Sequence, residues 1–389
     1  MITEERHLRV LHIVSGDLWA GAEVQLFTLV RALVAEPGVS LQVVLLNHGR
    51  LEQELVSAGI QVFLLDETRL NGLQIARRLY RLIRELQPDV IHTHRRKENI
   101  LGSIAARTVG NTPSLRTVHG AREHPPRWWH LPKRLLYFLD RFCGRYLQCR
   151  IISVSEDLAR ILEKEFPAAR IRVIENGIEP ETPDKAAASR ADDPGTGAGP
   201  IRIGYAGRLV PVKRVDLLIE TARHIVDHYP DLDASFRIFG DGPLREELER
   251  LSSQLGLSGI VSFAGHCEDM RSKLKELDIL LLTSDHEGLP MILLEAMALK
   301  IPIIAHATGG IPRLLEHGTC GILVHEQEAS SYAREIRHLA QTPQNASLMA
   351  ERALKRVTEH YSARQNARLY REEYLSCLAE RKPTPSVSR

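Results

Sequence analysis

The chain has 389 residues, enough for two domains, and 43% of them are hydrophobic, as is typical of a globular protein. A formal net charge of +2 argues against a dedicated nucleic-acid binder. The N-terminal residues are polar and include acids, and no uncharged apolar run of about 18 residues occurs. The sequence therefore predicts neither a signal peptide nor a membrane-spanning helix.

The five cysteines are scattered along the chain and include no Cys-x-x-Cys pair. Their spacing favours a reduced compartment over a disulfide framework, and it matches no zinc-finger pattern. We therefore expect a cytoplasmic protein.

The first half of the chain alternates strand and helix patterns. Strands are predicted at residues 8–14, 41–46, 61–65, 90–93, 114–118 and 150–154. Helical patterns lie between them, for example at residues 22–34, 73–86 and 156–166. Such alternation predicts parallel βαβ units in a first domain over residues 1–180.

Residues 181–199 interrupt this pattern. They are rich in proline, glycine and charged residues, which predicts a linker or surface loop. A second domain over residues 200–365 resumes the alternation, with strands predicted near residues 201–207, 234–239, 260–263, 279–283 and 301–305. Helical patterns continue to about residue 379, and the polar tail after them is expected to fray.

Two doubly wound α/β domains of this kind imply a cleft between them. In such sheets, ligands bind outside the carboxyl ends of the strands. Most of the distinctive glycine and charged residues of this chain directly follow predicted strands, which places the candidate binding site in these loops.

The loop after the first strand runs from Gly16 to Gly21 and opens a helix. A glycine-rich loop at this point lets the backbone approach a phosphate. A plain strand-to-helix turn with a helix cap is the alternative.

Three histidines end predicted strands of the first domain. His92 and His94 are two residues apart, so they share one face of a strand and could be metal ligands. No third ligand stands out nearby in the sequence, which favours a structural or acceptor-site role. His119 ends the next strand, beside Gly120, at an edge where cleft residues belong.

The loop after the first strand of the second domain carries Arg208 and Lys213. Arginine binds a phosphate through parallel hydrogen bonds and lysine acts as a point charge, so the two suit a diphosphate. A solvated basic turn is the alternative.

The segment from residue 278 to residue 298 is the most informative part of the chain. It passes from an apolar strand through Gly288 and Pro290 into a helix. Free N–H groups and the dipole at the start of that helix favour an anion. Glu287 in the turn and Glu295 on the helix can accept hydrogen bonds from hydroxyls, so the segment suits a nucleotide-sugar.

These strings together resemble the retaining family-four glycosyltransferases, which have the two-domain GT-B fold. The segment 284–298 resembles the E-x7-E donor motif of that family, and residues 207–214 resemble its G-R-L-x-x-x-K-G motif. The turns at residues 239–244 and 308–312 match further family strings.

The resemblance covers residues 10 to about 324 and has consequences for the fold. It implies an N-terminal acceptor domain, a C-terminal donor domain, and a last helix within residues 366–389 that crosses back to the first domain. Three positions depart from the family strings, because Ala22, Arg214 and Lys300 stand where the family has glycine. Lysine at position 300 is strained if that position needs a positive φ.

The resemblance also implies roles for individual residues. It implies catalytic roles for His119, which contacts the transferred sugar, and for Glu287. It implies that Arg208 and Lys213 stabilise the leaving phosphate in place of a metal ion. Neither a metal nor a cofactor is therefore expected. Donor binding is implied for the glycine loops and for the helix start, with Glu295 on the ribose: Gly16, Gly21, Gly207, Gly240, Gly242, Gly288, Leu289, Pro290, Met291, Ile292 and Glu295.

The reaction implied by the resemblance is transfer of a sugar from a UDP- or GDP-sugar to a hydroxyl, with retention of anomeric configuration. We expect it to serve the synthesis of a surface polysaccharide or glycolipid. One alternative is a nucleotide-sugar 2-epimerase on the same fold, which the combined G-R-L and E-x7-E strings argue against. The other is a non-catalytic nucleotide-sugar binding protein, which the presence of all four charged site residues argues against.

Residues 122–150 combine Trp128, Trp129, seven basic residues and an amphipathic pattern with only two acids. Tryptophan, leucine and basic residues together are typical of a helix that lies on an anionic membrane surface. A core helix with a solvated face is the alternative. If residues 122–150 bind a membrane surface, we expect a peripheral protein on the inner face of the membrane, with a lipid-linked acceptor.

Overall fold

The computed structural model describes residues 7–17, 19–120, 131–179 and 199–380, with the backbone alone at residues 131–133. The chain forms two compact units. Unit 1 contains residues up to Gly177 and the C-terminal segment from Ala363, and unit 2 contains Ile178–Ser362. The predicted linker at 181–199, apart from Gly199, and the predicted polar tail lie outside the described residues.

Unit 1 is built on a seven-stranded parallel sheet in the order β3-β2-β1-β4-β5-β6-β7. Its strands are β1 (Leu8–Val14), β2 (Val39–Leu45), β3 (Gln61–Leu64), β4 (Val90–Thr93), β5 (Ser114–Val118), β6 (Arg150–Ser153) and β7 (Ile171–Val173). Its helices before unit 2 are α1 (Gly21–Val34), α2 (Arg50–Ser57), α3 (Gly72–Leu86), α4 (Arg96–Gly110), α5 (Leu131–Phe142) and α6 (Glu156–Glu163). A π-helical turn at Cys143–Leu147 continues α5.

Unit 2 is built on a six-stranded parallel sheet in the order β10-β9-β8-β11-β12-β13. Its strands are β8 (Ile201–Ala206), β9 (Ala234–Phe239), β10 (Val261–Gly265), β11 (Ile279–Leu282), β12 (Ile303–His306) and β13 (Ile322–Val324). Its helices are α7 (Val215–His228), α8 (Arg245–Gln254), α9 (Met270–Lys275), α10 (Met291–Ala298), α11 (Ile311–Leu314), α12 (Ala329–Gln341) and α13 (Pro343–His360).

The parallel α/β prediction is confirmed in both units. Central strands such as β4 and β11 are buried along their whole length, which is why they read as continuous apolar runs. In unit 1, one apolar cluster draws residues from α1 and another from α3, so helices cover both faces of the sheet.

The last helix, α14 (Ala363–Ala379), belongs to unit 1. Its residues Tyr370, Tyr374, Cys377 and Leu378 recur at helical spacing and enter the apolar cluster beside β1. The helix therefore supplies part of the core of unit 1, although most of unit 1 precedes it by more than two hundred residues.

One pair of cysteines is cross-linked, which the sequence analysis did not predict when it favoured a reduced compartment over a disulfide framework. Cys149 and Cys377 form a disulfide with a Cα–Cα distance of 6.0 Å across a sequence separation of 228 residues. The pairing follows from the return of α14 to the start of β6, which cysteine spacing cannot reveal.

Two of the glycine replacements lie in left-handed backbone conformations. Arg214 has a φ of 49° and Lys300 a φ of 55°. This region is unfavourable for a residue with a Cβ, so the strain considered for Lys300 is present. Arg214 ion-pairs with Asp216 at 3.1 Å and with Asp285 at 3.5 Å, which ties the changed loop to its neighbours.

Within the described part of the chain, no helix is both long enough and apolar enough to cross a membrane.

Candidate active site

The candidate donor site of unit 2 lies where its sheet changes direction. Strand β8 has β9 on one side and β11 on the other, so successive βα units leave it in opposite directions. Such a switch point opens a crevice at the carboxyl ends of the strands. The loops after β8, β9, β11 and β12 all emerge at this edge, and we call them the unit 2 rim (residues 207–214, 240–244, 283–290 and 307–310).

Backbone hydrogen bonds join neighbouring loops of the unit 2 rim. Leu209 donates to the carbonyl of Asp241 at 3.0 Å, and Asp285 donates to that of Val212 at 2.8 Å. Gly310 donates to the carbonyl of Gly288 at 3.0 Å. The four loops therefore form one connected surface, which fixes the backbone positions from which their side chains extend.

Two glycines allow these loops to approach so closely. A Cβ on Gly240 would lie 1.9 Å from the carbonyl oxygen of Gly207, and one on Gly309 would lie 1.8 Å from that of Glu287. Both glycines also have positive φ angles. No other residue type fits either position without moving the facing loop.

The first charged contact of the unit 2 rim joins the loops after β8 and β11. Lys213 Nζ lies 2.6 Å from Glu287 Oε1, and the Ser284 hydroxyl donates to the same oxygen at 2.7 Å. The Thr283 hydroxyl donates to the backbone carbonyl of Arg214 at 2.7 Å, so it anchors the turn that carries Lys213. The sequence analysis did not single out Thr283 or Ser284, because their spacing carries no signal of its own.

Arg208 contributes a second cation to the unit 2 rim. Its side chain is exposed, and no carboxylate of the described residues pairs with it. Its backbone carbonyl accepts a hydrogen bond from the buried hydroxyl of Tyr205 at 3.2 Å. This bond anchors the loop to strand β8. The guanidinium is therefore available to an anionic ligand.

Helix α10 begins at Met291, one residue after the start predicted from Pro290, which is the N-cap residue. Proline has no side-chain group that could accept a hydrogen bond from the first turn, so the N–H groups of Met291 and Ile292 can face a ligand. Leu289 and Gly288, directly before the helix, are buried.

Glu295 lies one turn further along α10. Its carboxyl group is largely removed from water, and this burial raises its pKa to about 7, with nearby Arg271 opposing the shift. A group with this pKa can both donate and accept hydrogen bonds near neutral pH, which suits contact with paired hydroxyls.

Unit 1 has an equivalent switch point between β1 and β4. Gly16 follows β1 with a φ of 77°, and the neighbouring Ser15 hydroxyl donates to Glu98. Arg95, after β4, pairs with Asp17 at 2.9 Å and with Glu23. Gly21 is the first residue of α1.

The buried carboxyl groups of Glu23 and Glu98 are unusual features of this edge. Burial raises the pKa of both, and Arg95 opposes the shift at Glu23 while the Ser15 hydrogen bond opposes it at Glu98. The sequence analysis did not predict Glu23, Arg95 or Glu98 as site residues, because charged residues at or near the start of a helix are common in any sequence.

His119 lies just after β5, and its Nε2 is 3.3 Å from Nδ1 of His94. Burial, with a smaller contribution from nearby Arg95, lowers the pKa of His119 to about 4. The ring is therefore neutral at pH 7 and acts through a hydrogen bond rather than through charge.

A fourth histidine, His12, was not singled out by the sequence analysis. It lies opposite His92 in the register of β1 and β4, and its Nδ1 is 3.1 Å from Nε2 of His94. One ring nitrogen from each of His12, His92 and His94 lies within 4.8 Å of the others, a spacing that could hold a metal ion. A possible signal in the sequence is that both His12 and His92 lie near the ends of predicted strands.

The structure places the predicted site residues in two groups. Three lie at the carboxyl edge of unit 1: Gly16, Gly21 and His119. The remaining residues lie on the unit 2 rim or on α10: Gly207, Arg208, Lys213, Gly240, Gly242, Glu287, Gly288, Leu289, Pro290, Met291, Ile292 and Glu295.

Comparison with known proteins identifies the class. Residues 19–182 match the family model described as Glycosyltransferase Family 4, and residues 200–342 match Glycosyl transferases group 1. Anabaena HepE, solved with UDP-glucose, has a TM-score of 0.80 at 21% identity over 95% of this chain and 100% of that one. The protein is a glycosyltransferase with the two-domain GT-B fold.

Two bacterial relatives each match this chain over more than two thirds of their own length. An Escherichia coli protein named UDP-Gal:alpha-D-GlcNAc-diphosphoundecaprenol alpha-1,3-galactosyltransferase is 30% identical over 66% of this chain and 68% of its own length. The Rhizobium meliloti lipopolysaccharide core biosynthesis glycosyltransferase LpsE is 28% identical over 91% of this chain and 95% of its own length. The chain belongs to the group 1, family 4 glycosyltransferases.

The close contact at Gly309 yields a prediction for turnover. Gly309→Ala places a methyl group against the Glu287 carbonyl and displaces the loop that carries Glu287. We expect turnover in a sugar-transfer assay to fall by about 100-fold while the far-ultraviolet circular dichroism stays that of the folded protein, since a shift of about 1 Å at a site can have this effect. The matched control is Gly259→Ala, where no atom lies within 4 Å of the added Cβ. Wild-type turnover in Gly309→Ala would contradict the prediction.

Proposed function

We propose that the protein transfers a sugar from a UDP-sugar, with retention of anomeric configuration, to a hydroxyl of a lipid-linked glycan during synthesis of a surface polysaccharide or glycolipid. The observation that carries the proposal is the unit 2 rim. It brings Arg208, Lys213, Glu287 and the start of α10 to the carboxyl edge of one sheet.

The diphosphate of the donor is proposed to bind the cationic part of the rim. Arg208 offers an exposed fork of N–H donors, and Lys213 offers a point charge that Glu287 holds in place. The free N–H groups and the dipole of α10 add to the same potential. Lys213 and the helix N–H groups are held in place before the reaction, so they can stabilise charge that develops on the leaving phosphate.

The carboxylates are proposed to bind the hydroxyl groups of the donor. Glu287 lies beside Lys213, and therefore beside the phosphate whose bond to the sugar breaks, so it suits contact with the sugar ring. Glu295 lies further along α10 and suits the ribose hydroxyls. Because its pKa is about 7, Glu295 can donate a hydrogen bond to a ribose hydroxyl when it is protonated and accept one when it is ionised.

The proposed step forms a bond between the acceptor oxygen and the anomeric carbon and breaks the bond from that carbon to the phosphate oxygen. The acceptor hydroxyl loses its proton, and an oxygen of the departing diphosphate takes it up. No divalent cation is required in this scheme, because Arg208 and Lys213 supply the positive charge at the leaving group.

The choice of UDP as the nucleotide rests on relatives. The Escherichia coli relative is named for a UDP-galactose donor and a diphosphoundecaprenol acceptor. HepE was solved with UDP and with UDP-glucose. The same Escherichia coli name is the support for a lipid-linked acceptor here.

The surface of α5 supports an acceptor at a membrane. Leu135, Phe138 and Phe142 lie at helical spacing on one face, and Phe138 is 66% exposed. Arg134 and Arg145 are exposed beside that face. An exposed apolar band with basic neighbours is complementary to an anionic bilayer surface, where arginine heads meet phosphates while the rings enter the interface.

The structure buries two charged residues of the predicted membrane segment, Arg150 and Asp140. Arg150 does not belong to the basic patch, because it is 6% exposed and pairs with Glu373 at 2.9 Å and with Glu380. One of the two acids, Asp140, is also buried, in an ion pair with Arg116 at 2.7 Å. Trp128 and Trp129 lie outside the described residues.

The cationic site is tested by transfer assays in a metal chelator. We expect the wild type to remain active, and Arg208→Ala and Lys213→Ala each to lose about 100-fold or more in kcat with a modest change in donor binding. Added magnesium or manganese should restore neither variant. The matched control is Arg237→Ala, which removes a half-exposed arginine elsewhere in unit 2.

Three outcomes would contradict this account. Wild-type turnover in Arg208→Ala or Lys213→Ala removes that residue from the mechanism. Loss of wild-type transfer in chelator, with recovery on adding metal, contradicts metal independence. A product whose anomeric proton coupling shows inversion contradicts retention.

The membrane surface is tested by co-sedimentation with vesicles. Wild-type protein should bind vesicles that contain anionic lipid at low salt and release them at high salt, because each basic residue contributes about 1 kcal/mol within a Debye length. Phe138→Ser combined with Arg145→Ala should lower binding at least about tenfold. Leu348→Ser, at a 53% exposed position on α13, is the control. Binding that does not depend on lipid charge, or that the double variant retains in full, would contradict the membrane proposal.

A further inference from the structure

Arg214 directly follows Lys213 on the unit 2 rim, and its backbone conformation is unusual. Its φ of 49° and ψ of 45° lie in the left-handed region, between a short 3₁₀ helix (Pro211–Lys213) and the start of α7. This conformation is unfavourable for a residue with a Cβ, whereas glycine adopts it without strain. The backbone of Arg214 therefore destabilises the folded state, and any compensating gain must come from its side chain.

The side chain of Arg214 lies between two acids. Its Nε is 3.1 Å from Oδ2 of Asp216, and its Nη1 is 3.5 Å from Oδ1 of Asp285. Asp216 lies in the first turn of α7, so that pair is local. Asp285 belongs to the loop after β11, so the second pair crosses from one loop of the rim to another. Arg214 thus links the turn that carries Lys213 to the loop that carries Glu287.

Asp285 is itself held by three further segments of unit 2. Its N–H donates to the carbonyl of Val212 at 2.8 Å, and its carbonyl accepts from the Thr308 hydroxyl at 2.9 Å. Its Oδ1 accepts from Nε2 of Gln327, which follows β13, at 3.0 Å. The acid that pairs with Arg214 is therefore a fixed anchor, because it contacts the loops after β8, β12 and β13.

Two adjacent ion pairs therefore join the same two loops. Lys213 pairs with Glu287 at 2.6 Å, and Arg214 pairs with Asp285, two residues before Glu287. The Thr283 hydroxyl donates to the carbonyls of Lys213 and Arg214 at 3.1 and 2.7 Å, which ties the backbone beneath both pairs. A diphosphate that reaches Lys213 competes with Glu287 for the ammonium. The pair of Arg214 and Asp285 lies outside the groups assigned to the donor, so it stays intact.

We propose that Arg214 is a positioning residue that, through Asp285, holds the Lys213 turn against the Glu287 loop when the donor diphosphate engages the Lys213 ammonium. The effect on transfer rests on the proposed function, whereas the contact between the two loops does not. Groups that stabilise a transition state must be fixed before the reaction, so a loosened turn lowers kcat more than it changes the KM for the donor. The unfavourable backbone of Arg214 is offset by the order that its side chain gives to the rim.

Arg214→Gly tests the side chain while it relieves the backbone strain. Loss of the partly exposed ion pairs is offset by that relief, so we expect little change in the thermal midpoint. We expect kcat to fall at least about tenfold, which corresponds to about 1.4 kcal/mol, with donor KM changed less than about threefold. The matched control is Lys300→Gly, which removes a partly exposed cation at a φ of 55° outside the rim. Wild-type kcat in Arg214→Gly, or an equal loss in Lys300→Gly, overturns the proposal.

Asp285→Ala separates this role from a direct contact between Arg214 and the diphosphate. If Arg214 acts through Asp285, this variant loses kcat to a similar extent. The double variant should then lie within about threefold of the slower single variant, because both changes remove one contact. If Arg214 instead binds the diphosphate, removal of a competing acid leaves kcat unchanged or raises it. Unchanged or faster transfer by Asp285→Ala, or losses that multiply in the double variant, overturns the proposal.

Amide hydrogen exchange of the full-length, ligand-free protein tests the contact between the loops without any transfer. The Asp285 N–H bonds the Val212 carbonyl, so its exchange reports whether the two loops stay together. Lys213→Ala removes the first ion pair and leaves that of Arg214 with Asp285. Mass spectrometry over residues 283–290 should show exchange at least about threefold faster in Lys213→Ala/Arg214→Gly than in Lys213→Ala.

Equal exchange in these two proteins overturns the proposal. Absence of transfer by the wild type would contradict the proposed function, while the exchange measurement would still decide whether Arg214 holds the two loops together.

Discussion

The ion pair between Lys213 and Glu287 is the contact on which the unit 2 rim depends. It joins the loop after β8 to the loop after β11 at 2.6 Å, across the switch point of the sheet. Without an acid beside it, a lysine on a loop would spread over many rotamers. With the acid in place, the ammonium is held beside Glu287, on the rim where we propose that the diphosphate binds. In that proposal, a single contact orders a cation for the leaving group and a carboxylate for the sugar.

The backbone supplies the remaining order in both units. In unit 2, glycines at 240 and 309 let neighbouring loops come within contact distances that no Cβ permits, and hydrogen bonds between loops close the rim. In unit 1, the sheet register sets His12 against His92, and α14 adds two tyrosines, so that buried polar groups satisfy one another. Each unit thus presents fixed polar groups at the carboxyl edge of its sheet, which is a condition for electrostatic stabilisation of a transition state.

Much of the fold and part of the site follow from the sequence. Buried parallel strands are continuous apolar runs, so β4 and β11 could be predicted, and the loop that follows each strand had to lie at the carboxyl edge of its own sheet. Features that depend on contacts between distant segments could not be predicted. His12 lies against His92 through strand register, and Tyr374 reaches the His92 ring through the return of α14. Arg150 looked like a surface charge, yet the same helix buries it in ion pairs.

The affinity for UDP tests the central claim most directly, because UDP carries the charge that develops on the leaving group. Calorimetry at fixed ionic strength compares the wild type with Lys213→Ala and Glu287→Gln. If Lys213 serves the diphosphate and Glu287 competes for it, Lys213→Ala binds UDP more weakly and Glu287→Gln binds it about 3- to 10-fold more tightly, as expected for a partly buried pair worth about 1 kcal/mol. Unchanged binding by Lys213→Ala, or weaker binding by Glu287→Gln, would contradict the account.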